Sequence, residues 1–365
     1  MTTQPLLPLD GVWFLFILLL VSNNMKFSRI FLARLLSILV TFPLTAAAQS
    51  SMKAIVVHQN GGPEVLKYED APRPQPKDDE ILIRVMAAAV NPVDIAIREG
   101  RFGGRADFPF IPGMDVAGIV EQAGRKVTRF KKGDAVYAYL SFEEQGGYAE
   151  FVVTKENHAA LKPKSIDFEH AAAVPLAATT AWQALVDKAG LKADQTVLIH
   201  GGSGGVGTFA VQIAKARRAK VIATASAANQ DLLKELGVDQ PIDYITTKFE
   251  DVVKDVDVVL NGVRGNSLAR SYGVVKKGGI IVSITGPPDP AELEKHGIRG
   301  TSFGAEPDAK ILEDLAKLID SKRITPVVSA VIPLAEVAKA HQQIASQHTR
   351  GKVVLKVAEA PKSQP

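Results

Sequence analysis

A glycine-rich segment follows directly after a short apolar run in the middle of the chain. Residues 197–207 read Val-Leu-Ile-His-Gly-Gly-Ser-Gly-Gly-Val-Gly, and a helix-like stretch follows over residues 208–216. The glycines match the spacing G-x-G-x-x-G, in which the first permits a tight turn, the second lets the backbone approach a pyrophosphate and the third allows close packing of helix and strand. Because a helix N-terminus offers unpaired N–H groups to an anion, we predict a dinucleotide site at Gly202, Ser203, Gly204, Gly205, Val206 and Gly207.

Ser226, which follows the next apolar run, is relevant to the choice between NAD and NADP. Residues 220–224 lead into Ala225-Ser226, where a site for NAD would carry Asp or Glu to hold the ribose 2′-hydroxyl. The small hydroxyl side chain of Ser226 leaves room for a 2′-phosphate and can donate a hydrogen bond to it, which favours NADP. Serine is also a favoured N-cap residue, so the alternative role of Ser226 is to cap the helix predicted over residues 229–236.

The elements that must position these residues are of two kinds. Residues 53–160 hold short apolar or alternating runs separated by turn residues, which is typical of a barrel-like, strand-rich domain. From residue 167 onward, helical stretches alternate with apolar runs, which predicts a parallel, doubly wound sheet. After Pro307 the pattern gives a helix, a strand, a helix and a closing strand, and we expect this part to return to the first domain.

The predicted strands are 53–58, 80–89, 117–123, 135–140, 150–154, 196–200, 220–224, 256–260, 279–284, 325–332 and 351–357. The predicted helices are 168–173, 179–189, 208–216, 229–236, 308–320 and 334–346. The polar residues 359–365 are expected to be a disordered tail.

Composition excludes several classes of protein. At 365 residues and 46% hydrophobic residues the chain is long and apolar enough for two globular domains. Lysine and arginine number 43 against 39 acidic residues, and part of this excess lies in the first 48 residues, so the charge gives no argument for nucleic-acid binding. The chain contains no cysteine, which excludes disulfides, thiolate catalysis and cysteine-based zinc sites.

Residues 1–48 carry the pattern of an export signal. A basic segment begins at Met25, an apolar centre spans residues 35–44, and Ala46-Ala47-Ala48 ends it. We predict that Met25 is the true start and that cleavage follows Ala48, which would make the protein periplasmic or otherwise exported. Two alternatives stay open: an uncleaved membrane anchor that also uses the apolar run at residues 12–21, or an untranslated leader and a cytoplasmic protein.

Several segments of the body carry a family pattern. They are Asn91-Pro92-Val93-Asp94, residues 109–118, residues 130–137, Gly146-Gly147-Tyr148-Ala149-Glu150, residues 161–168 and Gly351-Lys352-Val353-Val354. Together they resemble the quinone oxidoreductase branch of the medium-chain dehydrogenase/reductase superfamily, and the last two are most similar to NADPH-dependent alkenal/enone reductases. The resemblance implies an α/β fold with a GroES-like, strand-rich barrel domain at residues 52–176 and 306–358. It also implies a Rossmann domain with a doubly wound parallel sheet at residues 177–305, which binds NADPH.

Zinc-dependent members of this superfamily bind catalytic zinc through a Cys at the position of Asn91 and a His-Glu pair at the positions of Met114 and Asp115. Neither Asn91 nor Met114 suits zinc, because a catalytic site needs three firm ligands, so we expect no metal. Without a Lewis acid, oxidation of an alcohol is disfavoured. The resemblance therefore implies hydride transfer to a conjugated acceptor, either a quinone or an α,β-unsaturated carbonyl compound.

The resemblance also implies roles for individual residues. Asn91 would lie beside the nicotinamide and the acceptor, and its alternative role is that of a turn residue before Pro92. Apart from the resemblance, Tyr139 is our candidate for the lip residue or proton donor because it precedes the loop at residues 141–147. Tyr137 is the alternative residue, and water is the alternative proton source. The further cofactor contacts that the resemblance implies are Thr180, Tyr244, Asn261, Thr285 and Phe303.

One departure from the family pattern concerns the 2′-phosphate. The family often has Ser-x-Lys where this chain has Ser226-Ala227-Ala228-Asn229, so the expected cation is missing. Asn229 can donate to the phosphate, but we expect weaker binding of NADPH and less selectivity over NADH.

Two other functions stay open, an enoyl-thioester reductase and a non-catalytic NADPH-binding protein of the same fold. The resemblance further implies a homodimer formed by pairing of sheet edges, and it implies no nucleic-acid partner. A membrane would be a partner only if the leader is uncleaved.

Overall fold

The computed structural model describes residues 50–101, 107–144, 146–346 and 349–359. The predicted leader and residues 360–365 of the predicted tail lie outside the described residues. None of the helices within the described ranges is long and apolar enough to cross a membrane.

The described residues form strands in three sheets. The strands are β1 (Ser51–Val56), β2 (Lys67–Pro72), β3 (Glu80–Val90), β4 (Asp115–Ala123), β5 (Ala135–Tyr139), β6 (Phe151–Lys155), β7 (Ala159–Leu161), β8 (Thr196–His200), β9 (Lys220–Ala225), β10 (Gln240–Asp243), β11 (Val256–Asn261), β12 (Val275–Ser283), β13 (Arg299–Ser302), β14 (Val328–Pro333) and β15 (Lys352–Lys356).

Helices connect these strands. They are α1 (Pro92–Arg98), α2 (Phe168–Ala172), α3 (Pro175–Trp182), α4 (Gly205–Ala216), α5 (Gln230–Glu235), α6 (Phe249–Val252), α7 (Ser267–Ser271), α8 (Pro290–His296), α9 (Ala309–Asp320) and α10 (Val337–Ala345). The helix predicted over residues 179–189 begins earlier, at Pro175, because proline is favoured at the first helical position. Its continuation over Gln183–Lys188 is π-helical.

The first part of the chain and its C-terminal end build a common sheet. The order β14-β15-β3-β4-β5-β7 includes both C-terminal strands, β6 also pairs with β3, and β1 pairs separately with β2. The closing strand β15 runs antiparallel to β3, with Val353 opposite Val90. The tail therefore returns to the first domain.

The middle of the chain forms a parallel sheet of six strands in the order β10-β9-β8-β11-β12-β13. The first strand of this region lies at the centre and the connections leave it in both directions, which is the Rossmann order. In open sheets of this kind, ligands bind at the carboxyl ends of the strands, where the direction of winding reverses. That point lies between β8 and β11, directly at the glycine-rich segment. The predicted α/β fold class is confirmed.

The two larger sheets share one hydrophobic core. Buried side chains from the first sheet (Ala87, Tyr137) belong to the same cluster as Ala178 of α3, Phe209 of α4 and Leu312 of α9. The Tyr137 hydroxyl donates to the carbonyl oxygen of Leu312 over 2.5 Å, which fixes α9 against the first sheet. Tyr137 therefore has a packing role, because its hydroxyl is bound to α9 and not directed to a substrate.

Candidate active site

The glycine-rich loop joins the end of β8 to the start of α4. A Cβ atom on Gly207 would lie 2.0 Å from the carbonyl oxygen of Gly201, so only glycine allows this approach of helix and strand. A Cβ atom on Gly204, the N-cap residue of α4, would meet nothing closer than 3.5 Å. The backbone therefore packs tightly at Gly207 but leaves room for a methyl group at Gly204, beside the unpaired N–H groups of the first helical turn. This cradle fits a pyrophosphate.

A buried histidine holds the loop against β9. The His200 ring contacts the Thr224 hydroxyl at 3.3 Å through Nδ1 and the Ser271 hydroxyl at 3.0 Å through Nε2. Burial lowers the pKa of His200 to about 4, so the ring is neutral at pH 7. Thr224 in turn accepts from the N–H of Gly201 at its hydroxyl and from the N–H of Gly202 at its carbonyl oxygen. The histidine that precedes the loop thus has a structural role.

The residues predicted for the 2′-phosphate lie together at the carboxyl end of β9. The Asn229 amide donates to the Ser226 hydroxyl over 3.2 Å, and the Tyr244 N–H donates to the carbonyl oxygen of Ala225 over 3.2 Å. The Ser226 side chain makes no backbone capping bond, which is against its alternative role as a helix cap. The Tyr244 ring is 55% exposed and is available to contact a base.

The first sheet brings a second group of polar residues to one edge. Asn91 follows β3, Asp115 begins β4, Tyr139 ends β5 and Lys352 begins β15. In the observed registers Asp115 lies opposite both Ala89 and Tyr139, and Val353 lies opposite Val90. These antiparallel pairings place the four side chains at the same end of the sheet.

Asn91 is the N-cap residue of α1, and both ends of its side-chain amide also bond residues outside that helix. The amide Nδ2 donates to Asp115 Oδ2 over 2.9 Å, with a longer contact of 3.4 Å to the carbonyl oxygen of Ala89. The amide Oδ1 accepts from Lys352 Nζ over 2.5 Å. A simple turn residue before Pro92 would use its side chain locally, so this arrangement favours a role in the site.

Lys352 and Asp115 form a buried ion pair. The Lys352 ammonium lies 3.0 Å from Asp115 Oδ2, and the two side chains are 4% and 0% exposed. The other carboxylate oxygen of Asp115 accepts from the N–H of Leu176 over 2.6 Å, at the start of α3. Burying two charges stabilises a protein only when both are paired and hydrogen-bonded, and both conditions hold here.

The segment that carries Lys352 also touches the glycine-rich loop. The N–H of Gly351 donates to the carbonyl oxygen of Ser203 over 2.8 Å. A Cβ atom on Gly205 would lie 3.0 Å from Cδ of Lys352, so the lysine stem passes close to the start of α4. The C-terminal strand therefore joins the predicted pyrophosphate site to Asn91.

Asp94 and Tyr148 form the layer behind Asn91. Asp94 Oδ2 accepts from the N–H of Asn91 over 2.8 Å and from the Tyr148 hydroxyl over 2.8 Å. Burial, with the neighbouring charge of Asp115, raises the pKa of Asp94 to about 7, although both hydrogen bonds and Lys352 oppose the shift. Its other carboxyl oxygen, Oδ1, has no hydrogen-bond partner among the described residues.

Tyr139 lies opposite Asp115 in the pairing of β4 with β5, and Thr180 lies one helical turn after Leu176, whose N–H binds Asp115. The hydroxyls of Thr180 and Tyr139 both donate to backbone carbonyl oxygens. The Thr180 hydroxyl donates to the carbonyl oxygen of Leu176 over 2.7 Å, and the Tyr139 hydroxyl donates to that of Ala305 over 2.7 Å. Burial and the charge of Asp115 raise the pKa of Tyr139. In this arrangement Tyr139 is buried rather than at the lip of a pocket, and its role as a proton donor stays a prediction.

The remaining predicted contacts lie at or just after the carboxyl ends of β11, β12 and β13. Asn261 is buried and in register with His200, and its Nδ2 donates to the hydroxyl of Thr285 over 2.8 Å. Both residues bond the carbonyl oxygen of Val263, so their direct role is to hold the loop after β11 beside the glycine-rich loop. Phe303 is half-buried against the shared core, with the Lys188 ammonium 5.7 Å from its ring centre. Its contact with a cofactor stays a prediction.

Metal ligands do not converge at this site. Met114 packs in an apolar cluster with Val57, Phe110 and Tyr139. Within the described ranges, no group of three or more His, Asp or Glu side chains is placed to hold a metal ion. The amide of Asn91 and the thioether of Met114 do not fit catalytic zinc, which requires three firm ligands.

No function in the site was predicted from the sequence for Lys352 or Asp115. Lysine at the start of a strand is commonly exposed, and its partners are distant by 261 and 237 residues along the chain. Only the strand register reveals that it is buried beside Asn91.

Comparisons with known proteins agree with this architecture. The chain matches the family models described as "Alcohol dehydrogenase GroES-like domain" over residues 77–164 and "Zinc-binding dehydrogenase" over residues 236–355. It is 37% identical over 322 residues to an NADPH-dependent alkenal/one oxidoreductase of Arabidopsis thaliana, covering 85% of this chain and 81% of the relative.

Solved structures are similar over the same part of the chain. The quinone oxidoreductase from Coxiella burnetii has a TM-score of 0.79 at 33% identity, covering 84% of this chain and 100% of the other. A mycobacterial protein solved as a complex with NADPH has a TM-score of 0.76 at 32% identity, also covering 84% of this chain and 100% of the other.

Proposed function

Because the chain belongs to the medium-chain dehydrogenase/reductase superfamily, in its zinc-independent quinone and enone oxidoreductase branch, we propose that it transfers a hydride from NADPH to such an acceptor. The acceptor is a quinone or an α,β-unsaturated carbonyl compound. The observation that carries the proposal is the chemistry beside the glycine-rich loop. There an amide, a carboxylate and an ammonium group bond one another where zinc-dependent members hold their metal.

NADPH fits the residues that would hold it. The loop from Gly202 to Gly207 would bind the pyrophosphate through backbone N–H groups, and Ser226 with Asn229 would donate hydrogen bonds to the 2′-phosphate. The exposed ring of Tyr244 would lie against the adenosine end. When bound, NADPH supplies a hydride, and the protein contributes position, orientation and exclusion of water.

The acceptor is bound next to Asn91 in surroundings that suit a conjugated carbonyl compound. The apolar cluster of Met114, Phe110 and Tyr139 borders the polar edge at Asn91, and Leu176 packs against the same cluster. A hydride added to the β-carbon leaves negative charge on the carbonyl oxygen, and a proton completes the saturated product. Water or Tyr139 supplies that proton. Tyr139 would first have to release its hydrogen bond to Ala305.

Catalysis needs no zinc, although one matching family model carries zinc in its description. We expect dialysis against a chelator to leave the rate of NADPH oxidation unchanged, because the positions of Asn91 and Met114 offer no metal ligand. A loss of activity that added zinc restored would contradict the proposal.

NADPH oxidation with parallel acceptors tests the function. A benzoquinone, a short enone and a saturated aldehyde are offered to the purified protein, and the nicotinamide absorbance is followed. Turnover with the first two alone supports hydride transfer to conjugated acceptors, and their ratio separates a quinone reductase from a reductase of carbon–carbon double bonds. Binding of NADPH without turnover would favour the non-catalytic alternative.

We further infer a homodimer. β13 is an edge strand of the six-stranded sheet and pairs on its outer side with no other strand of the described residues, so this edge can pair with that of a second copy. Light scattering of the purified protein tests this, and a monomeric mass at micromolar concentration would contradict it.

Export of the protein is proposed from the leader. Residues 25–52 fused to a reporter that functions only outside the cytoplasm should give activity. Activity of a cytoplasmic reporter alone would contradict export.

A further inference from the structure

Asn91 has partners of opposite character at the two ends of its amide. An ammonium group can only donate hydrogen bonds and an ionised carboxylate can only accept them. Lys352 therefore requires Oδ1 of the amide on its side, and Asp115 requires Nδ2. A rotated amide would place its NH2 group against the ammonium and its oxygen against the carboxylate, so only one orientation satisfies both neighbours.

The surroundings hold the Asn91 amide rigidly in this orientation. Lys352, Asp115 and Asn91 are each at most 3% exposed as whole residues, so water cannot replace a lost partner. Asp115 is itself fixed by the N–H of Leu176. The backbone of Lys352 is fixed by its pairing with Val328 of β14 and by its N–H, which donates to the carbonyl oxygen of Val327 over 2.9 Å. The N–H of Asn91 is held by Asp94.

We propose that Lys352 is a positioning residue of the reaction: with Asp115 it fixes the orientation of the Asn91 amide, as a built-in cation in the place of the metal. The proposal rests on the hydride-transfer function proposed above. The ammonium acts through Asn91, and its stem ties that position to the loop that carries the cofactor. A misoriented amide beside the reacting groups would slow the chemical step, whereas binding of the cofactor, made mainly elsewhere, would change little.

Substitution Lys352→Met tests this because it keeps the length of the stem and removes the donor. We expect kcat to fall at least about tenfold while the dissociation constant for NADPH changes less than about threefold. Lys352→Arg keeps a charged donor and should recover part of the rate. Lys356→Met is the matched control, because Lys356 lies on the same strand and pairs at the surface with Glu359.

The double variant Lys352→Met/Asp115→Asn covers the case in which the unpaired Asp115 prevents folding. It removes both charges and still lacks the ammonium, so kcat should stay low. Recovery of the wild-type rate would mean that Lys352 only neutralises Asp115, which would overturn the proposal. An unchanged kcat with much weaker NADPH binding in Lys352→Met would also overturn it, because Lys352 would then be a cofactor ligand.

A spectroscopic readout keeps this test separate from the function itself. In the ¹⁵N spectrum of the whole protein, the side-chain NH2 signals of Asn91 are assigned by their loss in Asn91→Ser. They should exchange slowly with solvent in the wild type and faster in Lys352→Met, even if no acceptor is ever reduced. Equal rates of NH2 exchange in the wild type and in Lys352→Met would show that Lys352 does not fix the Asn91 amide. Slow exchange in the wild type without any turnover would refute only the proposed function.

Discussion

Asp94 is the residue whose charge the fold alters most clearly. Its carboxyl group is buried, and its pKa rises from 3.8 to about 7. The unfolded chain ionises this group first as pH rises, so the native state loses stability between about pH 4 and pH 7. A shift of this size corresponds to at most about 4 kcal/mol.

The comparison of wild type with Asp94→Asn measures this loss. The variant stays neutral at every pH and can still accept from Asn91 and Tyr148. We expect the stability of the wild type to fall relative to the variant between pH 5 and pH 8, by about 1 kcal/mol or more in urea unfolding. Parallel stability curves would show that Asp94 ionises normally.

Gly204 gives a prediction that separates folding from cofactor binding. A methyl group there makes only an ordinary van der Waals contact, with the carbonyl oxygen of Gly201 at 3.5 Å, and it enters the region proposed for the pyrophosphate. Gly204→Ala should keep its stability within about 1 kcal/mol and lose at least about tenfold in NADPH affinity, measured by nicotinamide fluorescence.

Two further substitutions serve as controls for Gly204→Ala. Gly207→Ala should destabilise the fold itself, since its methyl group would collide with the backbone at 2.0 Å. Gly273→Ala should change neither property, because its methyl group meets nothing closer than 4.0 Å. An unaltered NADPH affinity in Gly204→Ala would place the pyrophosphate elsewhere.

At the scale of elements, we expect the turn between β9 and α5 to determine the choice of dinucleotide. It brings Ser226 and Asn229 together but carries no cation. Ala228→Lys restores the Ser-x-Lys pattern at an exposed position, and we expect the ratio of NADPH to NADH affinity to rise about tenfold. Ala335→Lys adds the same charge in the turn after β14 and should leave the ratio unchanged. A rise in both affinities together would show that the charge acts non-specifically.

The sequence predicted the elements that have strong patterns of their own. β3 and β8 are apolar runs long enough to be recognised, and both were expected within one residue of their observed ends. β7 and β13 were not predicted, because they span three and four residues and β13 is polar. They become strands only through pairing with β5 and β12. α1 was missed because its Asn-Pro start is also the signature of a turn.

The candidate site also has one part with a local sequence pattern and one part that depends on long-range pairing. The glycine-rich loop could be predicted because its motif is local, and the expected order of strand, turn and helix is present around it. The fixed orientation of the Asn91 amide could not be predicted, because it depends on the register between β3 and β15. In the sequence these two strands are separated by the whole Rossmann domain. The leader and the choice of acceptor stay predictions.

At the scale of the whole molecule, we expect the shared core to make the described chain unfold as one cooperative unit. α3, α4 and α9 pack into a cluster that also includes side chains of the first sheet, and Gly351 bonds the glycine-rich loop. The Rossmann sheet therefore cannot unfold without exposing apolar surface of the first domain. We expect a single calorimetric transition, with NADPH at 100 times its dissociation constant adding about 2.7 kcal/mol and raising Tm by about 4 °C.

The Gly204→Ala variant distinguishes this cooperative rise in Tm from non-specific stabilisation, because it should show the same single transition with a smaller rise. At the same NADPH concentration, tenfold weaker binding leaves about 1.4 kcal/mol of the stabilisation, which is about half of the wild-type effect. Two transitions, of which NADPH moved only one, would mean that the domains unfold independently. In that case the contacts of Lys352 would not couple the cofactor loop to the first sheet, because a ligand stabilises only the cooperative unit to which it binds.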